Sequence, residues 1–310
     1  MQHILTAEQF DHDQMIRLFT QADHFKKEDG SIVTRRKNMK KHSGRIMLSM
    51  FYEPSTRTRF SFEIAAAKLG IAVIGTENAA EFSSAAKGET IEDTVKVFNE
   101  YGVDAINLRT KEEGHAKRAA DVSTVAVING GDGKAEHPTQ AVLDLYTIYK
   151  QFNRLHDLRI TIGGDLAHGR TARSLALLLS HYPNNHITFV SAPELAMGAD
   201  IKDILHDRKT SFSETANMQH SLTEADVVYW TRMQLERHDE AIHINLQNYM
   251  LDATALAILP ETAIIMHPLP RNQEIPISTD NDPRAKYFEQ AGNGLYIRMA
   301  MLDQIMNNLT

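Results

Sequence analysis

Five consecutive residues, Ser55-Thr56-Arg57-Thr58-Arg59, carry three hydroxyls and two guanidinium groups. They follow an apolar run at residues 46–51 and precede a helical pattern, so they fall where a strand hands over to a helix. The first N–H groups of a helix have no intrahelical partner and sit at the positive end of its dipole, about half an elementary charge. Such a junction collects anions, and an inward arginine adds a planar fork matched to phosphate or carboxylate. A lone Ser-Thr pair is better read as a cap with solvated neighbours. The density of donors here favours a ligand site.

Other residues of similar chemistry recur after apolar runs. Arg109 closes one; taken alone it reads as a surface arginine. His137-Pro138-Thr139-Gln140 follows a glycine-rich stretch, residues 129–133, read as a turn, and opens a helix with an imidazole and a carboxamide about one turn apart. Helix-start duty and ligand contact are about even there. Residues 76–88 are mostly small and polar and include Ser83 and Lys87, a loop long enough to be functional or disordered. Its lysine reads either as a solvated side chain or as an anion-binding finger. In the second half Arg170, then Arg232 with Gln234, occupy the same kind of position.

These residues need a scaffold, and the chain supplies one grammar repeatedly: short apolar strand, polar or glycine-rich turn, amphipathic helix, the form of parallel βαβ units. Strands are expected at residues 46–51, 71–74, 103–108 and 122–128, then at 158–162, 187–190, 227–230 and 263–266. The helix opening at Pro54-Ser55-Thr56 is expected to bury Phe60, Ile64 and Ala67 and to end at Gly70. The helix from Pro138 presents Val142, Leu145, Tyr146 and Tyr149 at helical spacing. A polar stretch then precedes the second series, which places a domain change near residues 136–157. The fold class is therefore α/β with two doubly wound parallel sheets, in which ligands lie beyond the carboxyl ends of the strands.

Composition narrows the chemistry. The chain has 310 residues with 42% hydrophobic and 24% charged side chains, enough for two cores and unlike a disordered protein. Its net charge of −7, without a basic stripe, argues against nucleic acid as a partner and leaves any anion to local cations. Zero cysteines remove disulfides, thiolate metal sites and a cysteine nucleophile, and fit a reducing compartment. The 15 histidines form no tight cluster with carboxylates in the sequence, and the Gly163–Gly169 turn lacks the G-x-G-x-x-G spacing, so neither a metal nor a nicotinamide cofactor is expected. The start, Met1-Gln2-His3-Ile4, has no basic or apolar signal character, and no apolar run approaches the roughly 20 residues of a membrane span. The expected location is the cytoplasm, with no membrane partner.

Taken together, Glu53-Pro54-Ser55-Thr56-Arg57-Thr58-Arg59, the Lys-Gly-Glu-Thr loop at residues 87–90, His137-Pro138-Thr139-Gln140, the Gly-Asp…Gly-Arg-Thr turn and His267-Pro268-Leu269-Pro270-Arg271 resemble, in order, the motifs of the aspartate carbamoyltransferase catalytic chains. The likeness runs from about residue 46 to the end. Ornithine carbamoyltransferases usually carry His-Cys-Leu-Pro where this chain has His267-Pro268-Leu269-Pro270. The run from Thr231 to Arg237 looks like an aspartate-binding loop. Charge agrees: a dicarboxylate needs cationic partners that would repel ornithine's side chain.

The resemblance implies a carbamoyl-phosphate domain over residues 1–140, with a C-terminal helix at 292–310 packed back on it, and an aspartate domain over 141–291. It implies that Ser55, Thr56, Arg57 and Thr58 bind the phosphate, with Arg109 reaching phosphate and carbonyl oxygen. Thr58, Arg109 and His137 would polarise the carbonyl, and Gln140 with the Leu269 carbonyl would hold the carbamoyl NH2. Arg170 would take aspartate's α-carboxylate and Arg232 with Gln234 its β-carboxylate, beside Pro270. Ser83 and Lys87 would enter from a neighbouring subunit of a homotrimer with shared active sites. Five cationic side chains then face roughly four substrate negatives. Two alternatives stay open: a transcarbamoylase with another acceptor such as ornithine, and a non-catalytic phosphate-binding paralogue. A regulatory chain or a dihydroorotase partner also stays open.

Overall fold

The computed structural model describes residues 3–133, 136–233 and 244–309, and the chain divides into two compact units. Unit one comprises residues 1–142 and 292–310, and unit two residues 143–291. In unit one, strands β1 (Ile46–Phe51), β2 (Ala72–Thr76), β3 (Ala105–Thr110) and β4 (Ala126–Asp132) form a parallel sheet in the order β2-β1-β3-β4. Its helices are α1 (His12–Asp29), α2 (Ile32–Asn38), α3 (Thr56–Lys68), α4 (Ala79–Phe82), α5 (Ile91–Glu100) and α6 (His115–Val122). Helix α7 (Pro138–Phe152) carries the chain into unit two.

Unit two has β5 (Arg159–Gly163), β6 (His186–Val190), β7 (Ser211–Thr215), β8 (Val227–Trp230) and β9 (Ile264–Met266), all parallel, in the order β7-β6-β5-β8-β9. Helices α8 (Arg170–Leu179), α9 (Ala199–Asp207), α10 (Met218–Leu222) and α11 (Ala253–Ile258) belong to it, and α12 (Tyr287–Asn307) returns the chain to unit one. Strand order reverses between β1 and β3 in one sheet and between β5 and β8 in the other. Ligands of doubly wound sheets gather at such switch points, beyond the carboxyl ends of the strands.

Three sequence expectations are corrected. Residues 129–133 do not form a turn as a whole: β4 continues through Asp132, and a bulge sets Gly130 and Gly131 opposite Arg109. Polar edge strand β7, Ser-Phe-Ser-Glu-Thr, carries no apolar run and was not expected from the sequence. Most informative is α3, where Phe62, Ala65 and Ala66 are buried while the expected core stripe of Phe60, Ile64 and Ala67 is exposed, Phe60 at 46% and Ile64 at 47%. The two faces are both apolar, so period alone could not choose between them.

One face of the first sheet, Leu48, Met50, Ile106, Leu108 and Val127, packs with Val95 of α5 and Ala119 and Ala120 of α6. On α3, Phe62 lies under the Arg298 guanidinium of α12, 5.1 Å from ring centre, which ties the returning helix to unit one. Asp303 of α12 makes the second tie. Its carboxylate, 3% exposed, takes hydrogen bonds from His42 Nε2 at 2.7 Å, Lys41 Nζ at 2.9 Å and Gln21 Nε2 at 2.8 Å. Burial alone would raise its pKa, but the bonds from His42 and Lys41 outweigh it and hold the group below the usual range. Asp303→Ala should therefore cost about 3 kcal/mol in a urea melt, because it strands buried polar partners. A carboxylate with a depressed folded pKa contributes stability that is complete above its unfolded value, about pH 4, and is lost as pH falls through the folded value. The gap between wild type and variant should accordingly shrink on acidification.

Candidate active site

In unit one the expected residues lie at the carboxyl ends of β1, β3 and β4. Ser55 is the N-cap of α3, but its side chain makes no capping bond, so the first-turn N–H groups are left to a ligand. Arg57, exposed, has no acidic partner among the described residues, and desolvation by the surrounding protein lowers its pKa. Arg59 differs: it pairs with Glu77 at 2.9 Å and Glu63 at 3.6 Å and stacks on Phe60. Two arginines that look alike in the motif thus separate into one that is available to an anion and one already neutralised.

Arg109 is 7% exposed. Its Nη1 donates to the Gly130 carbonyl at 3.1 Å and its Nη2 lies 2.6 Å from Glu53 Oε2. The bulge makes this pose fit. Gly131 holds φ +129°, which strains any other residue, and a Cβ there would lie 2.5 Å from Arg109 Nη1 and push the guanidinium out of this pose. Glu53, which heads the motif in the sequence but received no role there, is the counter-ion that keeps this buried guanidinium oriented. Its signal was its place two residues before Ser55, at the head of the motif.

Thr58 Oγ1 and His137 Nε2 are hydrogen-bonded at 3.1 Å, with both side chains buried. The His137 carbonyl meanwhile accepts the Gln140 and Ala141 amides at 3.0 and 3.2 Å. The two readings of His137 are therefore compatible: its backbone starts α7 while its ring faces Thr58. Residues 76–88 are less irregular than expected, since α4 and a short 3-10 turn, Ser84–Lys87, lie within them. Ser83 Oγ donates to the Ala79 carbonyl at 2.5 Å, and Lys87 is exposed with no partner among the described residues. No hydrogen bond or ion pair there joins Ser83 or Lys87 to Thr58, His137 or Arg109.

In unit two, the chain beyond β5 is stitched to the chain beyond β8. The Thr231 amide and hydroxyl both donate to the Gly163 carbonyl, at 2.8 and 3.1 Å. Gly164, with φ +113°, leaves no room for a Cβ, which would meet the Thr231 carbonyl oxygen at 2.3 Å. This stitch places half-buried Arg232 just beyond the β5/β8 switch point, and Arg170, the first residue of α8, follows β5 in the chain. Gln234 lies outside the described residues. Leu269 follows β9, joined to Pro270 by a cis peptide.

Phosphate-type donors at one switch point and arginines at another define an α/β protein built to hold anionic metabolites. Residues 2–150 match the family model for the carbamoyl-phosphate binding domain of aspartate/ornithine carbamoyltransferases, and residues 156–305 that for their Asp/Orn binding domain. The chloroplastic aspartate carbamoyltransferase of Oryza sativa subsp. japonica is 46% identical over 98% of this chain and 84% of its own length. The catalytic subunit of the Clostridium acetobutylicum enzyme is 42% identical over 92% of this chain and 93% of its own. Among solved structures, the aspartate transcarbamoylase catalytic subunit of M. jannaschii superposes with TM-score 0.88 at 36% identity, covering 99% of both chains. That of Trypanosoma cruzi in complex with carbamoyl phosphate gives 0.91 at 32%, covering 98% of this chain and 95% of its own. The chain belongs to the aspartate/ornithine carbamoyltransferase family.

Proposed function

We propose that this chain transfers the carbamoyl group of carbamoyl phosphate to L-aspartate, giving N-carbamoyl-L-aspartate and phosphate, the carbamoylation step of pyrimidine biosynthesis. The observation that carries the reading is the uncapped N-terminus of α3 with Arg57 beside it, without an acidic partner among the described residues, in a chain whose relatives of both kinds are aspartate carbamoyltransferases. Ser55, Thr56, Arg57, Thr58 and Arg109 take the phosphate. Thr58, Arg109 and His137 polarise the carbonyl, and Gln140 and the Leu269 carbonyl take the carbamoyl NH2. Arg170 takes aspartate's α-carboxylate, and Arg232 and Gln234, beside Pro270, its β-carboxylate.

The neutral amine of aspartate attacks the carbamoyl carbon, and the oxyanion that forms is held by donors already in place. The C–O bond to phosphate then breaks, and the departing phosphate takes the amine's proton. His137 donates a hydrogen bond rather than forming a covalent bond. The cysteine-free sequence fits a reducing compartment, the cytoplasm in this reading.

The active form in this reading is a homotrimer in which Ser83 and Lys87 serve a neighbour's site. Lys87 has no partner among the described residues, and α3 and the edge strand β2 leave Phe60, Ile64 and Ile74 exposed nearby in sequence and in the sheet. An assay with aspartate and ornithine as competing acceptors tests the function. Carbamoylation of aspartate alone is expected; product from ornithine and none from aspartate would reject the assignment.

A further inference from the structure

A backbone carbonyl such as that of Leu269 is aimed only by whatever fixes its peptide. Leu269 holds φ +53°, an uncommon conformation for a branched residue, and one that persists only where the surroundings impose it. Its amide donates to His267 Nδ1 at 2.8 Å. An amide N–H can only donate, so Nδ1 bears no proton. The ring proton is then on Nε2, which donates to Glu274 Oε1 at 3.0 Å.

Both partners are closed in, His267 at 1% exposure and Glu274 at 6%. Glu274 Oε1 also accepts the Asn272 amide at 2.8 Å, and the Glu274 carbonyl accepts the Leu251 amide at 2.8 Å. The backbone of His267 is pinned as well. Its amide donates to Gln290 Oε1 at 2.9 Å, Gln290 Nε2 donates to Asp144 Oδ1 at 2.7 Å, and Tyr229 donates its hydroxyl to Asp144 Oδ2 at 2.8 Å. The ring is thus a rigid spacer between a buried carboxylate and the Leu269 peptide, supported by side chains of α7, β8 and α12.

We propose that His267 is a positioning residue: fixed as the neutral Nε2–H tautomer between Glu274 and the Leu269 amide, it aims the Leu269 carbonyl at the carbamoyl NH2. This inference rests on the carbamoyltransferase reading and deepens it. Its consequence is selective, because inorganic phosphate offers the same anion without an NH2. Phosphate binding should therefore be indifferent to His267, and carbamoyl phosphate binding should not.

The test is calorimetric titration of the full-length wild type, His267→Asn and His267→Gln with carbamoyl phosphate and, separately, with inorganic phosphate. An Asn side-chain oxygen lies near the place of Nδ1 and can accept the Leu269 N–H; Gln reaches toward Glu274 and leaves that N–H without an acceptor. His267→Gln should weaken carbamoyl phosphate about tenfold while phosphate changes less than about twofold, with most of the loss restored in His267→Asn. Equal weakening of both ligands, or an Asn variant no better than Gln, overturns the proposal, as does a Gln variant that binds carbamoyl phosphate normally. Nitrogen-15 spectra of wild-type histidines, which depend on no variant folding, should show His267 unprotonated at Nδ1; a proton there overturns it too. A wild type that neither binds carbamoyl phosphate nor carbamoylates aspartate would instead bring down the functional reading itself.

Discussion

Arg57→Ala is expected to lower kcat/KM for carbamoyl phosphate by about a thousandfold, the loss typical of removing a preorganised charged donor from developing negative charge. The phosphate gains charge as the C–O bond breaks, so an arginine fork on its oxygens is worth more in the transition state than in the ground state. Stability should hardly change. Arg57 is exposed, has no partner among the described residues to strand, and would be replaced in the first turn of α3 by the best helix former. Arg57→Lys should recover only part of the activity, since an ammonium lacks the bidentate fork. Arg59→Ala supplies the contrast: its charge is already met by Glu63 and Glu77, so its removal should alter kcat/KM by less than about tenfold. Steady-state kinetics with urea melts on the same preparations measure both halves. Near-normal turnover in Arg57→Ala would remove the phosphate site from this junction.

The difference between Arg57 and Arg59 also shows where sequence reading ends. Buried parallel strands announce themselves as continuous apolar runs, so β1, β3, β5 and β8 were legible. So was the rule that chemistry lies just beyond them. What stayed hidden depends on tertiary partners. The pairing of Glu53 with Arg109 spans two strand ends, and the bulge that seats Arg109 turns a glycine pair with turn character into part of a strand. The His267–Glu274 contact lies only seven residues apart, yet nothing in those types distinguishes it from two solvated side chains. Edge strands such as β7 bury too little to impose an apolar pattern.

The exposed apolar face of α3 carries the second large effect. Phe60 and Ile64 fall four residues apart on one exposed face, and Ile74 on the adjoining edge strand is 60% exposed. Apolar side chains exposed together are what an oligomer interface covers, whereas scattered ones need no explanation. If that interface closes a trimer and Lys87 serves the next protomer, each site draws Arg57 and Lys87 from different chains. Lys87→Ala and Arg57→Ala homotrimers should then both be nearly inactive, although each retains one intact half of every site. Dissociating the two and reassociating them in equal amounts creates hybrids, and in a closed ring of three every mixed trimer holds one site with both groups intact. Activity should rise from near zero to about a quarter of wild type. Sites confined to one chain would give no recovery, because no protomer in the mixture carries both residues. Mass measurement of the reassociated species fixes the fraction of mixed trimers, so absent activity in a sample rich in hybrids would rule out sharing, while monomeric chains with full activity would rule out the trimer.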